Sequence, residues 1–276
     1  MANGLPVKIL IAGALAAALL TAGAPASAAG CGNSGAGFDR WLGAFKRETV
    51  ARGLPHRVVS AALDGVTYNS RVIALDRSQK AFKKSFEQVA AERVTRSRLQ
   101  GGARMLSRYA SVLDAIERRF GVPREVVVAI WGLETDYGAN TGSMAALRSL
   151  ATLAYDCRRS AFFTNELTSA LHLVARGDLK PSDMRGAWAG ELGQTQFLAS
   201  SYLRFAVDFD GDGRANLITS VADALASTAN YLKGYGWRRG GSWQPGSANF
   251  AVLQKWNKSQ TYCRIIALFA ERLAGS

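Results

Sequence analysis

Residues 121–138 run Gly121-Val122-Pro123-Arg124-Glu125-Val126-Val127-Val128-Ala129-Ile130-Trp131-Gly132-Leu133-Glu134-Thr135-Asp136-Tyr137-Gly138 and read as one helix set into a core. Pro123 falls at the first turn, where its fixed φ and missing N–H are tolerated. An apolar run follows from Val126 to Leu133, and Gly138 supplies the stop. Counting back three, four and seven places from Glu134 reaches Trp131, Ile130 and Val127, so a carboxylate shares the face that core residues use. Burial there disfavours the charged form, and the negative end of the helix dipole acts in the same direction. A carboxyl held protonated near neutrality is what cleavage of a glycosidic bond needs, because the leaving oxygen must receive a proton. The same spacing fits a half-buried Glu paired with an Arg or Lys, and periodicity by itself leaves both readings standing.

Upstream, Phe38, Trp41, Leu42 and Phe45 fall at spacings of three and four, and similar stripes recur from Val58 to Leu63 and from Leu106 to Ile116. This stretch reads as a helical layer with basic outer faces. Arg93, Arg96, Arg98, Arg104 and Arg108 form such a face, for which solvation is the plainer expectation and anion binding the other. Downstream, a helix-rich stretch from Ala161 to Ala175 ends at Gly177 and Pro181. A Gly-rich segment, Gly186 to Gly193, precedes an acidic loop from Asp208 to Gly213. A helix from about Asp223 to Leu232 follows, then a Gly/Trp-rich turn region from Gly234 to Gly246, then helix again from Phe250 to Leu273. Short strands are expected between Gly236 and Phe250.

The amino terminus carries Lys8, an apolar run from Ile9 to about Ala22, and Ala26-Ser27-Ala28, the layout of a cleavable secretory signal. That run is shorter than the roughly 20 residues a membrane span needs. Ala28-Ala29-Gly30-Cys31 also has the Gly-Cys ending of a lipoprotein site, without the usual Leu three residues before the Cys. Lipid on Cys31 would give weak membrane association. The net charge of +13, or +12 without Lys8, suits attraction of an exported protein to an anionic polymer. Three cysteines remain in a compartment where disulfides form, which gives one bridge and one free thiol. Cys31 with Cys157 is the favoured pair, because Cys263 falls on a helical pattern and is expected to be buried.

Residues Ala129 to Gly138 resemble the catalytic segment of lytic murein transglycosylases of the B type, glycoside hydrolase family 103. Similar stretches follow at Gly186-Ala187-Trp188-Ala189-Gly190-Glu191-Leu192-Gly193-Gln194-Thr195-Gln196-Phe197, at Ala226-Ser227-Thr228-Ala229-Asn230-Tyr231-Leu232 and at Trp256-Asn257, so the resemblance covers most of the chain from Phe38 to Leu273. It implies a lysozyme-like core in which Glu134 does all the proton transfer. Glu134 would protonate the oxygen between N-acetylmuramic acid and N-acetylglucosamine while the substrate's own acetamido group stabilises the developing cation. It would then take a proton from the 6-hydroxyl, leaving a 1,6-anhydro end and consuming no water. The resemblance further implies substrate contacts from Gln196, Phe197, Tyr231, Trp256, Asn257 and Tyr262, with Trp256 standing where the family's best-known member has Tyr. Aromatic faces and amides suit sugars, although Phe197 and Tyr231 on their own read as core. Glu191 joins this set and is the strongest second carboxylate; about 5 Å from Glu134 it would make a retaining hydrolase. Asp136 reads as structural or solvent-exposed.

Asp208-Phe209-Asp210-Gly211-Asp212-Gly213-Arg214 opens like an EF-hand calcium loop. Its twelfth position is Thr219 rather than the bidentate Glu. The resemblance implies a longer loop closed by Asp223, with the backbone carbonyl of Arg214 as a further ligand and Ca2+ in a structural role. A solvated Asp/Gly turn is the plainer alternative.

His56 and His172 sit in no zinc or serine-hydrolase motif, and there is no Walker loop or dinucleotide fingerprint, which disfavours those enzyme classes. The expectation is therefore a mainly α, α+β fold, with a lysozyme-like core, an additional helical layer built from both chain ends and a small β element. Its divisions are a signal at 1–28, a helical region at 29–120, a catalytic core at 121–235 and a C-terminal region at 236–276. The expected partner is the peptidoglycan glycan strand, in the periplasm, with no nucleic acid, no cofactor for catalysis and a monomeric chain. With the sequence ending soon after Leu273, no further wall-binding repeat is expected. A lysozyme-type muramidase and a non-catalytic wall-binding module are the alternatives.

Overall fold

The computed structural model describes residues 30–78 and 84–275. The signal reading of residues 1–28 lies outside them. Among the described residues are thirteen α-helices and one two-stranded sheet, so the mainly α expectation holds. The upstream layer consists of α1 (Phe38–Ala51), α2 (His56–Leu63), α3 (Ser70–Arg77), α4 (Phe86–Arg93), α5 (Arg96–Arg108) and α6 (Ala110–Phe120). Local chemistry sets its boundaries. The Asn69 side chain accepts from the amides of Arg71 and Val72, Ser85 and Gln88 form a reciprocal capping box, and Thr95 caps α5.

The next helix, α7 (Arg124–Thr135), is the centre of the molecule. Every residue from Val126 to Leu133 is buried, so it has no polar face and must be enclosed. Four helices enclose it: α5, α6, α11 (Val221–Gly234) and α13 (Gln260–Ala274). Side chains such as Val127, Ile130 and Trp131 contribute roughly 1.5–3 kcal/mol each by that burial. The last helix, α13, also packs on α4 and α5, whereas α1, α2 and α3 pack on α8 and α9, so the upstream helices divide between two bundles rather than forming one layer with the carboxyl-terminal helix.

A second bundle joins α8 (Ala146–Tyr155), α9 (Ser160–Arg176) and α10 (Ala199–Phe205) to α11. In α8 every residue except Arg148 is buried, the polar Ser149 and Thr152 included. The sheet pairs β1 (Met144–Ala145) with β2 (Arg185–Gly186), antiparallel, Met144 opposite Gly186. The short strands expected between Gly236 and Phe250 do not form. Gly236, Gly240 and Gly246 take φ of 97°, 70° and 90° there, which breaks any extended run. Asn249 then satisfies part of that turn's backbone, accepting from the Arg238 amide at 2.7 Å and donating to the carbonyls of Arg238 and Gly241 at 2.9 Å. Helix α12 (Ala248–Trp256) follows.

Cys31 and Cys157 are joined by a disulfide across 126 residues, with Cα atoms 4.9 Å apart. A lipid on Cys31 is therefore corrected, since one sulfur cannot hold both this bond and a thioether. Cys263 is a buried free thiol donating to the carbonyls of Leu253 and Asn257. Beside the disulfide, buried Asp76 pairs with Arg158 at 2.6 Å and with Arg159, and buried Asp156 pairs with Arg77 at 2.8 Å. The basic face of α5 is not wholly solvated: Arg98 is turned inward onto Asp136, Nε to Oδ1 at 2.7 Å. His172 is exposed. No helix among the described residues is long and apolar enough to cross a membrane.

Candidate active site

Glu134 lies in the last turn of α7, half-buried. Beyond Thr135 the chain turns sharply, with Asp136 and Tyr137 both left-handed at φ 49° and 61°. Left-handed non-glycine residues carry strain, and two in succession need outside support. That support comes from the Tyr137 ring, which is wedged between helices. A Cβ on Gly101 of α5 or on Gly132 of α7 would lie 2.7 Å from it, so both positions must be glycine for the ring to enter. The Tyr137 hydroxyl donates to the Arg98 carbonyl at 2.5 Å, and Asp136 is held by Arg98. The Thr135 hydroxyl ties the end of α7 to the carbonyl of Gln194 and accepts from Gly138 N at 2.9 Å.

The Gly-rich segment thus comes against the end of α7. Gly186 is fixed by close approach: a Cβ there would lie 1.8 Å from the Glu191 carbonyl oxygen. Leu192 and Phe197 exchange both backbone hydrogen bonds at 2.8 Å, closing a tight loop whose tip holds Gln196 at φ 55°. The Gln196 amide donates to Thr141 and Gly193 carbonyls at 3.0 and 2.9 Å.

Two donors converge on one oxygen of Glu134. Trp256 Nε1 lies 3.1 Å from Oε1 and the Tyr262 hydroxyl 2.9 Å from the same atom. Among the described residues no protein group donates to Oε2. Trp256 ends α12 and is clamped edge-on by Phe197 and Tyr231, ring centroids 5.4 and 5.0 Å away, while Tyr231 donates to the Lys255 carbonyl at 2.6 Å. Tyr262 is placed by the first turn of α13, capped by Ser259.

Burial raises the Glu134 pKa above its ordinary range, and the negative field of Glu191 adds to the shift. The hydrogen bonds from Trp256 and Tyr262 and the Arg93 charge oppose it without cancelling it. Tyr262 is raised well above its own range, first by burial and then by Glu134. The Glu191 carboxyl is also raised by burial, and its Oε2 is buried with no hydrogen-bond partner. Glu134 is thus biased toward its protonated form, and two donors stand ready to stabilise the carboxylate once that proton leaves.

Glu134, Trp256 and Tyr262 come together, and Glu191 is near enough for its charge to act on Glu134. Phe197 is 2% exposed and Tyr231 8%, and both rings pack edge-on against Trp256. Asn257 turns its Oδ1 onto the Ser259 amide at 2.9 Å, shaping the turn into α13. The sequence reading placed Arg93 on a basic face and quoted Tyr137 only within the motif, without assigning either to the site; they act on it through charge and through the turn after α7. A tyrosine directly preceding the stop glycine was the only available signal for Tyr137.

The acidic loop brings carboxylate oxygens of Asp208, Asp210 and Asp212 within 4.8 Å of one another, all exposed. Asp223 does not join them. Its buried carboxylate accepts from the amides of Phe209, Asp210 and Asn216 at 2.7, 3.3 and 2.8 Å and so braces the loop from beneath. The oxygen-only cluster fits a hard cation.

A family model described as "Transglycosylase SLT domain" matches residues 37–247. The chain is 38% identical over 148 residues to membrane-bound lytic murein transglycosylase B of Escherichia coli (strain K12), a match that takes in 53% of this chain and 41% of that relative's length. Its structure is similar to that of SltB3 from Pseudomonas aeruginosa in complex with NAG-anhNAM-pentapeptide, with TM-score 0.82 and 31% identity over 87% of this chain and 80% of the other. It is also similar to soluble lytic transglycosylase SltB1 from the same organism, with TM-score 0.79 and 25% identity over 85% and 98% of the two chains.

Proposed function

Because the chain belongs to the transglycosylase SLT domain family, we propose that it is an exported lytic transglycosylase that cuts peptidoglycan glycan strands between N-acetylmuramic acid and N-acetylglucosamine, with Glu134 as its single acid and base. The observation that carries this is the unequal treatment of the two Glu134 oxygens. Oε1 accepts from Trp256 and Tyr262, which leaves Oε2 to carry the proton. Oε2 protonates the leaving glycosidic oxygen; the substrate's acetamido group covers the cationic carbon; Glu134 then removes the 6-hydroxyl proton as that oxygen closes on carbon 1. Atoms balance with no water consumed, and the product ends in a 1,6-anhydro sugar. The complex of SltB3 with an anhydro-sugar muropeptide supports this substrate class.

Glu191 is poorly suited to be a covalent nucleophile, because burial holds it toward the neutral form. We assign the cluster of Asp208, Asp210 and Asp212, with the Arg214 carbonyl, to a structural Ca2+ that steadies the loop leading into α11. The periplasm follows from the substrate and the signal-like amino terminus.

Mass spectrometry of the products released from purified sacculi, run beside Glu134→Gln, tests the proposal. Anhydro ends, lighter by one water than reducing ends and absent with the variant, are expected. Reducing ends would instead mean a hydrolase.

A further inference from the structure

We propose that Tyr235 and Arg204 form a docking platform for a sugar and its carboxylate-bearing peptide, farther along the same strand that Glu134 cuts; this rests on the function proposed above. Tyr235 is 37% exposed and is one of two exposed large hydrophobic residues among those described, the other being Phe162. It lies one helical turn beyond Tyr231, with ring centroids 4.7 Å apart. Tyr231 meets Trp256 at 5.0 Å, and Trp256 donates to Glu134 at 3.1 Å. An unbroken line of aromatic contacts therefore leads from the acid to an open ring at the surface. The chain turns directly after it, at Gly236 with φ 97°, where an added Cβ would meet nothing within 4 Å.

Arg204 supplies the second half. Its guanidinium carbon is 4.7 Å from the Phe205 ring and 5.6 Å from the Tyr235 ring, and among the described residues it pairs with no carboxylate. Phe162 makes a useful contrast. It packs on Phe163, whose neighbouring Arg159 is already committed to Asp76, and no ring contact links it to Glu134. An exposed tyrosine alone is unremarkable. A free guanidinium lying against an aromatic face that continues into the site is a different object. The C–H face of a pyranose stacks on an aromatic ring, and a guanidinium grips a carboxylate with paired donors. A glycan strand with peptide side chains offers both groups in one repeat.

The test compares full-length protein carrying Tyr235→Ala, Tyr235→Phe or Arg204→Gln on three substrates: fragments that only span the scissile bond, long strands stripped of peptide, and long strands that keep it. Tyr235→Ala is expected to raise the KM for both long strands about fivefold relative to its effect on the fragments, with Tyr235→Phe like wild type. Arg204→Gln is expected to raise KM only for peptide-bearing strands, by an amount that shrinks as salt is added. Equal effects on fragments and long strands, or none on long strands, would overturn the platform. Equal effects of Arg204→Gln with and without peptide would overturn its carboxylate-reading half. If the wild type cuts none of the three, the proposed function fails instead, and binding of long against short strands to the same variants decides the platform by the same ratio.

Discussion

The Tyr262 hydroxyl stands 2.9 Å from Glu134 Oε1, although the two residues are 128 positions apart, on the last helix and the central one. Trp256 gives the same oxygen a second donor. This convergence makes Glu134 an asymmetric carboxyl, one oxygen held and one open, and the consequences are measurable.

Glu134→Gln keeps the shape of the protonated acid and both hydrogen bonds but cannot transfer a proton. Activity is expected to fall by about 10²–10⁴-fold or more. Stability moves the other way. A carboxyl whose folded pKa lies above its unfolded value contributes stability that is complete below the unfolded value and lost as pH rises through the folded one. The melting-temperature gain of the variant over wild type should therefore be small at pH 4 and grow toward pH 8, as seen by scanning calorimetry at each pH. A gain that is flat across that range would rule out a raised Glu134.

Tyr262→Phe removes a donor that favours the charged form. The Glu134 pKa should rise further, and the alkaline limb of the kcat profile should move to higher pH. Since hydrogen bonds to charged groups contribute about 1.5–3 kcal/mol, kcat itself should fall about 10- to 100-fold. A loss confined to KM would mean that Tyr262 serves only to bind substrate.

Gly132→Ala places a methyl group 2.7 Å from the Tyr137 ring. Overpacking of this kind costs about 1–3 kcal/mol, and it should also displace the turn that aims Glu134. Reduced melting temperature and reduced kcat together are expected, with Gly65→Ala, where the added atom meets nothing within 4 Å, lowering stability without touching kcat.

Reducing the Cys31–Cys157 bridge releases a constraint spanning 126 residues. Chain entropy alone puts the loss at about 5 kcal/mol. Urea unfolding of Cys157→Ser beside wild type measures it; coincident transitions would show that the bridge constrains nothing.

Chelator should lower the melting temperature of wild type and leave a combined Asp208→Asn, Asp210→Asn, Asp212→Asn variant unmoved. Isothermal calorimetry with CaCl2 that detects no binding would remove the cation from the acidic loop.

Residues 121–138 determined much of this protein without help. A proline at the first turn, eight consecutive residues that can only be buried, and a carboxylate on the same face dictate a core helix ending in an unusual acid, because period and burial are local properties of the chain. The stop at Gly177 was legible for the same reason, whereas the central helix ends at Thr135 on the left-handed Asp136, ahead of the expected Gly138. Tertiary structure decided the rest. That Phe197 and Tyr231 support Trp256 from behind, that Asp223 turns onto backbone amides, and that Asn249 supplants a strand ladder all depend on groups far apart in sequence meeting in space. Spacing along a chain states which face a residue occupies. Only packing states what lies opposite, and for Glu134 it is the donors opposite, Trp256 and Tyr262, that decide which oxygen keeps the proton.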